Sequence, residues 1–154
     1  TEKYVFTTEW YDIPVASTAN LISEADWQTL ISVKSAVNKQ IEAARNAKLI
    51  GSNLSAKVEL WANAELKAIL DQLDNELRFV LITSTVMVNT FDAAQGEATE
   101  IEGLRVKVSA AEGEKCARCW HVLPDVNTHA AHLGLCSRCI INLPTGQGEE
   151  RKYA

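Results

Sequence analysis

Between residues 23 and 51 the apolar residues Trp27, Leu30, Ile31, Val37, Ile41 and Ala44 recur at helical spacing, with polar residues filling the other face. This is the pattern of an amphipathic helix that lays one stripe on a core. Ser23-Glu24-Ala25-Asp26 signals its start, because a capping hydroxyl stands three residues before a carboxylate and acids in the first turn complement the helix dipole. Lys48 near the end and Gly51 just beyond predict the stop, giving a helix of about 26 residues. Upstream, residues 1–22 read as irregular: Val5 to Tyr11 is a short apolar and aromatic stretch, and Pro14 breaks it.

The period then changes. Ala56, Val58 and Leu60 alternate with Lys57, Glu59 and Trp61, which predicts a half-buried strand, and Asn63 is placed to cap a short helix through about Leu73. Leu77 to Ile82 is a nearly unbroken apolar run of strand length. Strand, helix, strand is the order of a crossover, so these two strands are predicted to be parallel neighbours. A loop from Asp92 to Glu100 precedes a third strand with Leu104, Val106 and Val108 on one side and Arg105 and Lys107 on the other. Gly103 shifts its phase relative to Ile101, predicting a bulge. The expected fold class is α+β: a long helix, a small mixed α/β sheet unit, and a C-terminal zinc-binding unit built on four cysteines. The corresponding divisions are 1–52, 53–112 and 113–154.

All four cysteines fall in two copies of one pattern, Cys116-Ala117-Arg118-Cys119 and Cys136-Ser137-Arg138-Cys139, a C-x2-C-x16-C-x2-C arrangement. A C-x-x-C turn holds two thiolates on one side of a metal, and two such turns supply four sulfurs at about 2.3 Å in a tetrahedron. One structural Zn2+ on Cys116, Cys119, Cys136 and Cys139 is therefore predicted, holding residues 113 to 142 together. Two disulfides are the rival, but a chain of 154 residues that is 47% apolar can bury a core without staples. A redox motif would explain only one of the pairs. His121, His129 or His132 could replace a cysteine, although four cysteines already stand at ligand spacing. A centre with four protein ligands leaves no position for substrate.

Charge narrows the partners. With 15 Lys+Arg against 20 Asp+Glu, a net charge of -5 argues against a general polyanion-binding surface, so nucleic acid would be met by local patches. No apolar run approaches the roughly 18 to 20 residues needed to cross a bilayer, and no signal-peptide core is visible. The expected compartment is cytoplasmic, without membrane contact. Thr1 is not an initiator methionine, and the chain reads as a fragment, expected to be monomeric. No segment presents an active site: Gly146-Gln147-Gly148 lacks the strand-to-helix turn of a phosphate loop, and Asp71 with Asp74 reads as a solvated face.

Val37-Asn38-Lys39-Gln40-Ile41-Glu42-Ala43-Ala44-Arg45, followed by Ile50-Gly51-Ser52-Asn53-Leu54-Ser55-Ala56, resembles the last anticodon-domain helix and following strand of class I synthetases for branched aliphatic amino acids. Val5-Phe6-Thr7-Thr8-Glu9-Trp10 resembles the loop before it. Gly113-Glu114-Lys115-Cys116-Ala117-Arg118-Cys119-Trp120-His121, the second cysteine pair and the ending Gly148-Glu149-Glu150-Arg151-Lys152-Tyr153-Ala154 resemble the zinc-bearing C-terminus of bacterial isoleucyl-tRNA synthetases. The likeness covers essentially the whole chain.

That resemblance implies a parent ligase that joins isoleucine to tRNA(Ile) using ATP and Mg2+. The ATP-binding signatures and the editing domain have no counterpart in these residues, so the fragment alone is not expected to be catalytic. Its implied role is to help hold tRNA, alongside the remaining domains of the parent. Candidate contacts are Lys34, Asn38 and Arg45, which flank one edge of the helical stripe, where cationic side chains could reach phosphate or stack on a base. Arg45 could equally pair with Glu42, and Lys34 could snorkel. Arg118 and Arg138 occupy equivalent places in the two knuckles beside Trp120, which suits charge plus stacking. The packing alternative has Trp120 covering the metal, which is the expectation here, with the arginines balancing thiolate charge. Arg151 and Lys152 would either fold back on the zinc unit or fray. The alternative parent is a formamidopyrimidine-type DNA glycosylase, whose zinc finger has similar cysteines. It lacks the helix and junction, however, and begins with a catalytic proline that Thr1 does not replace. A purely structural docking module is the third reading.

Overall fold

The computed structural model describes residues 4–9, 12 and 22–153; Trp10, Tyr11, Pro14 and Ala154 lie outside them. Helix α1 runs Glu24–Asn46. Ser23 Oγ accepts the Asp26 amide at 3.1 Å, but Asp26 does not complete a capping box. Its carboxylate instead takes Gln72 Nε2 at 3.2 Å, pinning the start of α1 to the next helix. The helix ends before the predicted glycine. Lys48 takes φ 58°, and the amides of Leu49 and Lys48 reach back to Ala44 O and Arg45 O, each at 2.9 Å. This is a Schellman stop, which satisfies two orphan carbonyls. The buried stripe is Leu30, Val33, Ala36, Val37, Ile41 and Ala44. Ile31, assigned to that stripe by spacing, is 52% exposed.

Strand β1 (Ala56–Ala62) and helix α2 (Ala64–Asp71) follow, with Asn63 Oδ1 accepting the Leu66 amide at 2.9 Å. The predicted strand at Leu77 to Ile82 is instead a helix, α3 (Leu77–Leu81), which buries Leu77 and Leu81 one turn apart. A short apolar run carries no period that separates helix from strand. Ile82, at φ 58°, stops α3, and the parallel strand begins only at β2 (Thr85–Thr90). β2 does pair parallel to β1, Val58 opposite Val86 and Leu60 opposite Val88. Strands β3 (Glu97–Ala98) and β4 (Leu104–Ala110) complete a mixed sheet in the order β2-β1-β4-β3, with β4 antiparallel to β1.

Gly103 sits in a turn rather than a bulge: the Leu104 amide bonds Ile101 O at 3.1 Å, and Gly103 O accepts the Asn63 amide at 2.8 Å. With φ +76°, and with a Cβ there colliding with Asn63, glycine is required. Trp61, placed on the outer face by alternation, is buried. The Arg105 guanidinium holds the preceding loop through Gln95 O at 2.7 Å and Gly96 O at 2.8 Å.

The stripe of α1, the inner faces of β1 and β4, and leucines of α2 and α3 form one core from Ile22 to Val106. Beyond it lie β5 (Glu114–Lys115), β6 (Val122–Leu123) and helix α4 (Ser137–Ile141). Among the described residues no helix is long and apolar enough to cross a membrane.

Left-handed backbone costs an L-residue about 1 kcal/mol or more, so Lys48→Gly should stabilise the chain by about 1 kcal/mol and Gly103→Ala should destabilise it by more. Urea unfolding midpoints check both signs.

Candidate metal centre and its surroundings

Strands β5 and β6 form a two-residue ladder whose connection carries the first knuckle. The Cys116 amide bonds His121 O, and the Trp120 amide bonds Cys116 O, each at 2.9 Å; Trp120 takes φ 67° to close the turn. In the second knuckle, Cys136 is the N-cap of α4 and Cys139 lies one turn inside it. The knuckles are stitched together by Asp125, whose carboxylate accepts the Ser137 amide at 2.8 Å. Burial pushes the Asp125 carboxyl upward, but hydrogen bonds from Ser137 outweigh it and hold the group below the usual range.

All four Sγ atoms lie within 4.8 Å of one another, and Cys119 Sγ stands 3.7 Å from Cys136 Sγ. A tetrahedron with metal–sulfur bonds of about 2.3 Å has edges of about 3.8 Å. The cysteines are free, so these sulfurs converge without pairing as disulfides. Cys116, Cys136 and Cys139 are fully buried. Burial raises the Cys136 and Cys139 thiols. At Cys116 burial acts the same way, but amide N–H groups of Cys119, Cys136 and Arg118 outweigh it and bring the thiol down to about 6. Four soft, buried donors at tetrahedral spacing, with backbone amides turned toward one of them, fit zinc and leave no open coordination position.

The histidines stand apart from that group. His121 offers Nδ1 to Cys119 O at 3.2 Å, His129 bonds Ser137 Oγ at 3.0 Å, and His132 is half-buried. Trp120 does not cover the sulfurs: the left-handed turn swings its ring outward, 59% exposed, with Lys115 Nζ 5.1 Å from its centroid. The two equivalent arginines part ways. Arg118 is exposed and reaches Asn142 O at 3.4 Å, whereas Arg138 turns inward to Glu149 at 3.1 Å. Burial works against the Arg138 charge, but bonds to Cys119 and Glu149 raise its pKa. On α1, Asn38 and Arg45 are exposed and Lys34 is half-buried. Arg45 is paired with Glu42 at 3.0 Å. Arg151 and Lys152 fold back, Arg151 onto Glu149 at 3.0 Å and the Lys152 amide onto Glu76 at 2.6 Å.

Sequence reasoning did not single out Ser84, which joins the metal unit to the sheet. Its buried hydroxyl donates to Leu54 O at 2.5 Å and accepts the Val122 amide at 2.7 Å.

Residues 113–141 match the family described as "Zinc finger found in FPG and IleRS", a description that spans two kinds of parent. Similarity to one of them extends along the full length. The chain is 80% identical over 154 residues to the isoleucine–tRNA ligase of Acinetobacter baylyi, covering 100% of this chain and 16% of that protein. Along its whole length it is similar to part of an isoleucine–tRNA ligase. The ligase of Actinobacillus pleuropneumoniae serotype 5b is 46% identical over 153 residues, 99% of this chain and 16% of that protein. That of Saccharophagus degradans is 46% identical over 150 residues, 97% of this chain and 16% of that protein. The chain thus spans about 16% of the length of the isoleucine–tRNA ligases it matches.

Ser84→Ala leaves the Val122 amide and Leu54 carbonyl without a partner, which should cost about 1–3 kcal/mol. Chemical unfolding of the metal-loaded chain, followed by tryptophan fluorescence, measures it.

Proposed function

We propose that this chain is the C-terminal region of an isoleucine–tRNA ligase, a scaffold that helps hold tRNA(Ile) and contributes no catalytic residue. Isoleucine activation with ATP and Mg2+, and editing, belong to the rest of the parent, which acts in the cytoplasm; the chain itself is monomeric. The observation that carries this reading is the convergence of four buried sulfurs within a chain similar along its whole length to such ligases.

Cys116, Cys119, Cys136 and Cys139 hold one zinc ion, which supplies folding free energy rather than reactivity. The three divisions at 1–52, 53–112 and 113–154 serve as the end of the anticodon-side bundle, a junction, and the zinc unit with its tail. RNA contact falls chiefly on side chains that face solvent: Trp120 as a stacking platform, Lys115 and Arg118 as its flanking charges, and Asn38 along α1, with the half-buried Lys34 and the Glu42-paired Arg45 secondary. Stacking on an exposed indole is sequence-tolerant, and nearby cations neutralise phosphate. Arg138, Arg151 and Lys152 were candidates on sequence grounds, but the internal bonds of Arg138 and Arg151 favour a supporting role for them. A finger of the glycosylase kind would account for residues 113–141 alone; the similarity of residues 22–112 favours the ligase.

Metal analysis of the purified chain should find one zinc per molecule. Cys136→Ser should abolish it and disorder residues 113–142, leaving amide protection in β1, β2 and β4 intact; disulfide-paired thiols without metal would refute the site. In a titration with cognate and noncognate tRNA, the zinc-loaded chain should prefer the cognate. Trp120→Ala should weaken binding about tenfold, as loss of one stacked base implies. Equal affinity for both tRNAs would remove the recognition claim.

A further inference from the structure

The segment from Thr145 to Tyr153 is Gly-rich and charged, a composition that frays unless it is anchored, yet it is bonded along most of its length. The amides of Gly146 and Gly148 donate to Leu143 O at 2.8 Å and Ile141 O at 2.9 Å, turning the chain back along α4. Gly146 passes so near the Ile141 carbonyl that any side chain there would collide with it. Glu149 then binds the metal unit. Its carboxylate accepts Arg138 Nη1 at 3.1 Å and Asn142 Nδ2 at 3.3 Å, and its amide donates to Asn142 Oδ1 at 3.0 Å.

The next residues bind the other body. The amides of Lys152 and Tyr153 donate to separate oxygens of the Glu76 carboxylate, each at 2.6 Å, and Tyr153 packs against the main core. Between these anchors, Arg151 places its guanidinium 4.1 Å from the Phe79 centroid while bonding Glu149. Phe79 receives Arg138 at 5.0 Å and Arg78 at 4.7 Å as well, and His121 meets it edge-on at 6.1 Å. One ring of α3 is therefore held by guanidiniums from α3, from α4 and from the tail.

Three guanidiniums gathered in a partly desolvated seam repel one another. Desolvation, and then Arg138, hold Arg78 below its ordinary pKa. Glu149 offsets one of the charges. The Arg138 and Asn142 side chains that receive Glu149 belong to the segment of α4 that starts at Cys136 and contains Cys139, so the receptor for the tail stands in place only where those two sulfurs are gathered.

We infer that residues 149–153 form a clasp that fixes the orientation of the zinc unit against α3 through Phe79 and Glu76, and that the clasp closes only on the metal-loaded centre. The inference rests on the four cysteines holding zinc, so metal content is measured on the same sample. A chain without zinc fails the earlier reading, whereas a zinc-loaded chain with a free tail fails this one.

The test is amide hydrogen exchange of the full chain with zinc, after chelation, and in two variants. With zinc bound, the Lys152 and Tyr153 amides should be protected; after chelation they should exchange at unstructured rates while β1 and β4 stay protected. Phe79→Leu keeps apolar volume but removes the ring face, and should speed tail exchange about tenfold, as loss of shielded cation–π contacts implies. It should leave one zinc per chain and the protection around Cys116 unchanged. Arg151→Gln, outside the core, should do the same if Phe79→Leu fails to fold. Tail amides that exchange freely in the zinc-loaded chain, that stay protected after chelation, or that are untouched by Arg151→Gln would overturn the clasp.

Discussion

Residues 113–153 hold one small cluster in which Val126 is the only buried side chain besides the three fully buried cysteines, with Cys119, Leu123 and Leu135 packed around it. That is far too little apolar area to offset the ordering of some forty residues at about 1–2 kcal/mol of backbone entropy each. The ladder of β5 and β6 has only two residue pairs, and α4 has only five residues, so neither stands alone. The convergence of four sulfurs has to supply what a hydrophobic core supplies elsewhere, and everything carried on the knuckles inherits its position from that centre.

The main body needs no such help. Its core joins α1, α2, α3 and the inner faces of β1 and β4, and its local stops and starts agree with its packing. The body and the metal unit therefore rest on different physics and meet at a seam. The seam is unusually polar: the Ser84 hydroxyl serves both sides, and Arg78 Nε, Thr83 Oγ1 and His121 Nε2 are buried there without a direct partner among the described residues. Polar contacts are directional where apolar ones slide, so a seam of this kind sets an angle between two bodies more sharply than a greasy one would. Such an angle fixes how the exposed side chains of α1 stand relative to those of the knuckles.

What could be read in the sequence was local. Ser23 and Asn63 announced their caps, alternation announced β1 and β4, and the cysteine spacing announced the sulfur cluster, because each signal lies within a few residues of its effect. The failures have a common cause in contacts between distant residues. Leu77–Leu81 is helical because both ends of one turn face the same core, which composition does not encode. The period-2 pattern of Val86 and Val88 was present in β2 but overshadowed by the stronger apolar run before it. Lys48 ends α1 in a conformation usually given to glycine, so the nearby Gly51 misled. Glu76 and Tyr153 are 77 positions apart, and no periodicity links them. Trp120 was expected over the metal and faces out because its own backbone is left-handed, a property of the knuckle turn.

These corrections sharpen the division of labour among the cations. A chain of net charge -5 has no general attraction for a polyanion, so binding must come from cations that are not already spent on internal anions. Arg138 and Arg151 share Glu149, and Lys39, Arg45 and Lys67 are paired with Glu100, Glu42 and Asp71. Arg118 meets a carbonyl oxygen and the Cys139 sulfur rather than a carboxylate, and Lys115 lies over an exposed indole. A carbonyl leaves a guanidinium its full charge, and an indole face concentrates a cation without neutralising it. The surface around Trp120 therefore keeps positive charge and a stacking plane together, and it is held in place by the sulfur centre directly behind it. On the proposed reading, the structural demand for metal and the contact with RNA share the first knuckle, so losing one should remove the other.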